Sequence, residues 1–261
     1  MLKLMDDVLY FTGVKKMSRP LIWAHRGASG HAPENTLSAF DLAAKMGADG
    51  VELDIQLTKD GEIVVCHDEK IDRTSNGAGL VRDYTLKELK NFSFCNGNLF
   101  YEDATIPTME EVFNLLDPTG LTINIELKTG VFFYPGIEEK IVDLTHKKHW
   151  QDRVIYSSFN HYSIKKIKEI DPEAKVGFLY ADGTLNMPRY GHREGVNALH
   201  PALYNLQYPH YMEDCRNLGL DVNVWTVNST EDIKRCIDLG VHAIITNYPD
   251  KANSLLSMRS L

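Results

Sequence analysis

Short apolar runs recur along the chain at intervals that leave room for a helix between most of them, and few folds accommodate that rhythm. The runs are Leu21 to His25, Gly50 to Thr58, Glu62 to His67, Thr122 to Lys128, Val154 to Phe159, Lys175 to Tyr180, Val196 to His200, Asp221 to Val227 and Ala243 to Thr246. Between the first two, Thr36 to Met46 places Leu37, Phe40, Ala43 and Ala44 on one helical face, with Gly47 as a stop signal. Strand and helix in repeated order predict a mostly parallel sheet. One junction breaks the pattern, because Thr58-Lys59-Asp60-Gly61 is too short for a helix and carries the Asp-Gly signal of a tight hairpin. Glu62 to His67 is therefore expected to run back antiparallel, roughly opposite Glu52 at its far end. Removing it leaves eight parallel strands, which predicts a distorted (β/α)8 barrel of the TIM type with an extended hairpin on its second strand. An open doubly wound sheet is the competing fold.

A chain of 261 residues suits one such barrel, and residues 21–261 are expected to form it as a single unit. Between Asp68 and Pro107 the rhythm is lost to Asn76-Gly77-Ala78-Gly79, a weakly helical Thr85 to Lys90 and Asn96-Gly97-Asn98, so residues 68–107 read as a small insertion over the barrel mouth. Residues 1–20 read as an extension. Asp6 and Asp7 interrupt it and no small-residue cleavage site follows, which argues against a signal peptide. Met17, just before Ser18-Arg19-Pro20 and the first strand, is a candidate initiator.

The second strand contains a conflict that points to chemistry. In Val51-Glu52-Leu53-Asp54-Ile55 the apolar residues share one face and the two acids the other. The apolar face must pack on helices, which forces Glu52 and Asp54 into the barrel interior or its mouth. The same alternation in Ile123 to Lys128 turns Asn124, Glu126 and Lys128 inward. Like charges about 4 Å apart repel by roughly 4 kcal/mol at an effective dielectric of 20, so Glu52, Asp54 and Glu126 call for a neutralising cation. An oxygen-only donor set suits Mg2+ or Ca2+ better than zinc. The alternative is that these acids pair with Lys128 and Arg26 alone.

His25 closes the first strand, Arg26-Gly27 opens its loop, and His67 ends the hairpin return, so both imidazoles are expected to flank the acids on the catalytic face. Two histidines can divide proton transfers near neutral pH, and Arg26 and Lys128 can neutralise a phosphoryl oxygen. Asn35 or Thr36 can cap the next helix, and Glu34 either lines the mouth or supports that helix start. Trp225, sharing a face with Asn223, offers either an apolar wall for a substrate or core packing. Phe159 and His200 are further mouth candidates of that kind.

A net charge of -8 without a basic stripe excludes nucleic acid as the main partner, and no apolar run reaches membrane-spanning length. Cys66, Cys95, Cys215 and Cys236 form no CxxC pair, which points to reduced thiols and a cytoplasmic setting. A small-molecule substrate is the expected partner; homo-oligomerisation is open.

In order and spacing, His25-Arg26-Gly27, Pro33-Glu34-Asn35-Thr36, Glu52-x-Asp54, Thr58-Lys59-Asp60-Gly61, His67-Asp68 and Glu126-x-Lys128 closely resemble the glycerophosphodiester phosphodiesterase family. The resemblance runs from Leu21 to Asp250 and includes the closing Ala243 to Asp250. It implies a distorted barrel with an insertion after His67, and metal-dependent hydrolysis of glycerophosphocholine-like or glycerophosphoethanolamine-like diesters to sn-glycerol 3-phosphate and an alcohol. By resemblance, Glu52, Asp54 and Glu126 match metal ligands and His25 and His67 the acid/base pair, with His67 as base and His25 as acid. Arg26 and Lys128 match phosphate contacts, and Glu34, Asn35 and Trp225 match pocket positions. A lysophospholipase D or phosphoinositide-type phospholipase C on the same barrel is the competing enzyme, and a catalytically silent barrel that binds phosphorylated ligands the competing non-enzyme.

Overall fold

The computed structural model describes residues 19–258; Met17 lies outside them. Its strands are β1 (Leu21–His25), β2 (Gly50–Leu57), β3 (Ile63–Val65), β4 (Thr122–Leu127), β5 (Val154–Ser158), β6 (Val176–Tyr180), β7 (Ala198–Pro201), β8 (Asp221–Val224) and β9 (Ala243–Thr246). Eight of them are parallel neighbours in a closed ring, since β1 pairs with both β2 and β9 and β2 with β4. That closure excludes the open doubly wound sheet. Helices α1 (Leu37–Lys45), α3 (Met109–Leu116), α4 (Ile137–Lys147), α5 (His161–Ile170), α6 (Met187–Arg193), α7 (Tyr211–Asn217), α8 (Thr230–Leu239) and α9 (Pro249–Ser257) follow the parallel strands or lead into them, and the short α2 (Leu86–Leu89) lies in the insertion.

Strand alternation sorts the side chains as the sequence requires. Val51, Leu53, Ile55, Ile123, Ile125 and Leu127 face outward into one core with Phe40, Phe113 and Ile141 of the helices. Each such side chain, fully buried, contributes about 1.5–3 kcal/mol. Helix starts are fixed locally: Thr36 caps α1 by accepting from Ala39 N at 3.2 Å, and Thr108 forms a capping box with Glu111 on α3.

The hairpin differs from expectation by one residue. Ile55 pairs with Val65 and Leu57 with Ile63, so the register continued outward sets His67 level with Leu53 rather than Glu52. The cause is the loop: Thr58 N donates to Glu62 O at 3.0 Å, leaving Lys59-Asp60-Gly61 as a three-residue turn with Gly61 at φ 81°. The strand also ends at Val65, earlier than expected. Beyond it the buried Gln56 amide donates to the carbonyls of Cys66 and Asp68, both at 2.8 Å, and its oxygen accepts from Tyr134 Oη at 2.8 Å. Gln56 thereby draws the segment carrying His67 over the strand it came from. The insertion has its own small core of Val64, Cys66, Ile71, Val81, Leu89, Phe94 and Ile106.

Candidate active site

The β2–β4 register sets Glu52 beside Asn124 and Asp54 beside Glu126, and all of these point into the barrel. One oxygen of each of Glu52, Asp54 and Glu126 lies within 4.8 Å of the others, and all three residues are buried. Two cations serve them directly. Lys128 Nζ is 2.9 Å from Glu126 Oε1 and 3.8 Å from Asp54 Oδ1. Arg26 Nε is 3.4 Å from Asp54 Oδ2, and the Arg26 backbone N–H donates to Glu52 Oε2 at 3.1 Å. Asn35 Nδ2 donates to Asp54 Oδ2 at 2.9 Å.

Burial is the largest influence on every acid of the cluster. It drives Glu52 well above the usual carboxylate range, reinforced by the charges of Asp54 and Glu126. It also raises Glu126, against the pull of Lys128. At Asp54 burial is overcome by Arg26 and Lys128, so that carboxyl stays ionised far below its ordinary range. Without a cation the cluster therefore relieves its repulsion by holding protons. Asp54 Oδ1 and Arg26 Nε are both buried and hydrogen-bonded to nothing. An acceptor and a donor left open side by side, with three hard oxygen donors around them, fit a divalent cation and an anionic oxygen.

The loop after β1 brings its side chains inward through unusual backbone. Arg26, Gly27 and Asn35 have φ of 55°, 80° and 56°, in the left-handed region. A Cβ on Gly27 would stand 2.7 Å from Ala39, so glycine is required there. Arg26 N donates to Glu52 O at 2.9 Å and Asn35 N to Arg26 O at 3.0 Å, which holds the two strained residues against each other.

His25 Nδ1 lies 2.7 Å from Asn247 Oδ1 after β9, and its Nε2 stands 3.9 Å from Glu52 Oε2. With an amide oxygen as partner, Nδ1 carries the proton and Nε2 is bare. Burial, with Arg26 nearby, lowers His25 to about 4, against the Asn247 hydrogen bond. His67, about a third exposed at the rim, places Nδ1 2.6 Å from Asp68 Oδ1. Glu34 does not support the α1 start; it receives Arg26 Nη1 at 2.9 Å and Arg73 Nη1 and Nη2 at 2.8 Å each. Trp225 lies just past β8, with Nε1 donating to His200 O at 2.8 Å and its ring 5.5 Å from the Phe159 ring, nearly perpendicular. His200 itself is fully buried between Asn124 and Asn223, inside the barrel rather than at its mouth.

The structure thus gathers His25, Arg26, Glu34, Asn35, Glu52, Asp54, Glu126 and Lys128 in one connected network. Sequence reasoning gave no role to Asn247, Asp68, Gln56 or Arg73. Asp68 and Asn247 stand inside recognisable motifs; Gln56 continues the inward alternation of Glu52 and Asp54; Arg73 carries no local signal.

A model of the glycerophosphoryl diester phosphodiesterase family matches residues 25–251. The chain belongs to that family. The glycerophosphodiester phosphodiesterase of Caldanaerobacter subterraneus subsp. tengcongensis is 44% identical over 91% of this chain and 98% of its own length. The one from Bacillus altitudinis is 40% identical over 88% and 96%. Among solved structures, an Oleispira antarctica phosphodiesterase in complex with the product sn-glycerol-3-phosphate superposes with a TM-score of 0.83 at 31% identity, covering 92% of this chain and 97% of that one. In this phosphodiesterase the three carboxylates are the group that could hold a metal ion among the described residues. No helix of the described residues is long and apolar enough to cross a membrane.

Proposed function

We propose that the chain hydrolyses glycerophosphodiesters of the glycerophosphocholine or glycerophosphoethanolamine kind to sn-glycerol 3-phosphate and an alcohol. The observation that carries this reading is the buried triad of Glu52, Asp54 and Glu126 in a member of this family, with His25 beside it. Residues 21–261 act as one catalytic unit, with 68–107 as its insertion. A Mg2+ or Ca2+ ion held by the triad would supply Lewis acidity and charge neutralisation at the phosphoryl group. The guanidinium of Arg26 and the ammonium of Lys128 bind the phosphoryl oxygens. Asn35 holds Asp54 in orientation from behind, and Glu34 fixes the Arg26 guanidinium. Trp225 and Phe159 form the apolar wall for the alcohol.

The two histidines divide the proton transfers, in the order opposite to that expected from sequence. His25, neutral at pH 7 with Nε2 bare, accepts the proton of the water whose oxygen bonds to phosphorus as the P–O bond to the alcohol breaks. His67, with its ring oriented by Asp68 through Nδ1, donates to the departing oxygen. Product analysis tests the reaction: glycerophosphocholine should yield choline and sn-glycerol 3-phosphate in equal amounts. Phosphocholine and glycerol would mean that the other ester bond is cut and the reading is wrong.

One observation favours a second reading, lysophospholipase D. Leu99 and Phe100 in the insertion, Val131 and Phe133 before α4, and Leu185 before α6 are exposed large apolar side chains on segments that follow strand C-terminal ends. The sequence showed no such rim, because Leu99-Phe100 and Val131-Phe132-Phe133 are short runs without helical or strand periodicity. A lysophosphatidylcholine cleaved faster than glycerophosphocholine would select this reading.

A further inference from the structure

We propose that Arg73, on the insertion, is a positioning residue that locks His67 and Arg26 into one register through a single guanidinium shared between two carboxylates. This rests on the reading of His67 and Arg26 given above. Arg73 Nε and Nη2 donate to Asp68 Oδ2 and Oδ1 at 2.7 and 3.1 Å, while Nη1 and Nη2 donate to Glu34 Oε2 and Oε1 at 2.8 Å each. Both carboxylates have a second duty. Asp68 Oδ1 lies 2.6 Å from His67 Nδ1. Glu34 Oε1 accepts from Arg26 Nη1 at 2.9 Å. The result is a chain of alternating charge, Arg26, Glu34, Arg73, Asp68, His67, that spans from the loop after β1 to the segment after β3.

Each end of this chain needs it. His67 sits beyond the last residue of its strand with its side chain about a third exposed, and Asp68, its neighbour, is exposed to the same degree. Gln56 holds their backbone carbonyls, not their side chains. A histidine oriented only by a mobile carboxylate would sample several rotamers, and misplacement by about 1 Å can cost about 100-fold in rate. The Arg73 fork removes that freedom because its planar donors match both carboxylates at once, which a lysine ammonium cannot do. Four of its five N–H donors are engaged by Glu34 and Asp68, which leaves Arg73 little capacity to bind a phosphate itself. Arg73 is also close to half exposed and its Asp68 partner about a third exposed, and ion pairs so open to solvent contribute at most about 1 kcal/mol to folding, while the mostly buried Glu34 keeps Arg26 as a partner when Arg73 is removed. Its contribution is orientation rather than stability.

The test compares wild type, Arg73→Ala, Arg73→Lys and His67→Ala as cation-loaded full-length proteins, with kcat and KM for glycerophosphocholine measured separately and urea unfolding alongside. Expected for Arg73→Ala is a kcat lower by about 10- to 100-fold, with KM and the urea midpoint little changed. Arg73→Lys should recover a minor part of the loss, and added methylguanidinium should restore kcat to Arg73→Ala but not to His67→Ala. Histidine-selective 15N NMR should show the His67 ring signals, identified by their loss in His67→Ala, displaced in Arg73→Ala. Unchanged kcat, a raised KM at constant kcat, or a kcat loss that tracks unfolding without methylguanidinium rescue would each overturn the proposal. A wild type with no hydrolytic activity would defeat the phosphodiesterase reading instead, and the NMR signals alone would then decide this one, unmoved signals overturning it.

Discussion

Replacing Glu52 by Gln separates the burden of the carboxylate triad from its use. The three acids bring oxygens within 4.8 Å of one another. At that separation and an effective dielectric of about 20, each ionised pair repels by roughly 3 kcal/mol. Without a cation, burial and the charges of its neighbours push the Glu52 pKa upward, which favours the protonated form and relieves part of this repulsion. An amide oxygen in the same place still accepts from Arg26 N, as Oε2 does at 3.1 Å. The cation-free variant should therefore be as stable as wild type, or more stable by up to roughly 3 kcal/mol. Wild type should gain about 2.7 kcal/mol at a cation concentration about 100 times its dissociation constant, an upward shift of about 5 °C for a chain of this size. The variant should gain almost nothing under the same conditions. Scanning calorimetry on both proteins, stripped by chelation and then supplied with Mg2+ or Ca2+, reads all four states. The reasoning is refuted if stripped Glu52→Gln melts far below stripped wild type, or if the cation shifts the two equally.

Other predictions follow the same contacts. His200 is buried and lowered to about 3, so below about pH 6.5 the unfolded chain takes up a proton that the folded one refuses; stability should fall by about 2 kcal/mol between pH 8 and pH 5 from this group alone. Urea unfolding of His200→Gln at both pH values should show a smaller fall than wild type, and an equal fall would contradict the assignment. Asn247→Leu removes the partner of His25 Nδ1, and kcat should drop by about 10- to 100-fold with the fold intact by circular dichroism; a wild-type kcat would show that the tether is dispensable. A glycerophosphodiester with a p-nitrophenyl leaving group needs no protonation of the departing oxygen, so it should restore much of the activity of His67→Ala but not of His25→Ala. The opposite pattern would return the roles to the order expected from sequence.

Much of this site was legible because it follows from strand periodicity. An apolar outer face on β2 and β4 obliges Glu52, Asp54 and Glu126 to meet inside, and the Asp60-Gly61 signal fixed the direction of the return strand, though not its register, which depends on a three-residue loop, one residue shorter than the four-residue junction Thr58 to Gly61. What periodicity could not supply were partners far away along the chain. Asn247 meets His25 across 222 positions, and Arg73 meets Glu34 across 39 from an insertion without regular spacing. Glu34 illustrates the same point: its position before α1 left a mouth role and a helix-start role open, and two guanidinium groups far along the chain or across the loop draw it to the mouth. The orientation of the histidines was equally hidden, because it depends on Asn247 and Asp68 rather than on any property of the imidazoles themselves.

Release of sn-glycerol 3-phosphate from glycerophosphocholine, measured for wild type, His25→Ala and His67→Ala before and after chelation and with Mg2+ or Ca2+ restored, bears most directly on the proposed chemistry. Wild type should lose activity on chelation and regain it with the cation, while each folded variant stays at least about 100-fold below it. Release that persists in fully stripped wild type, or that survives near wild-type levels in either variant, would contradict the account.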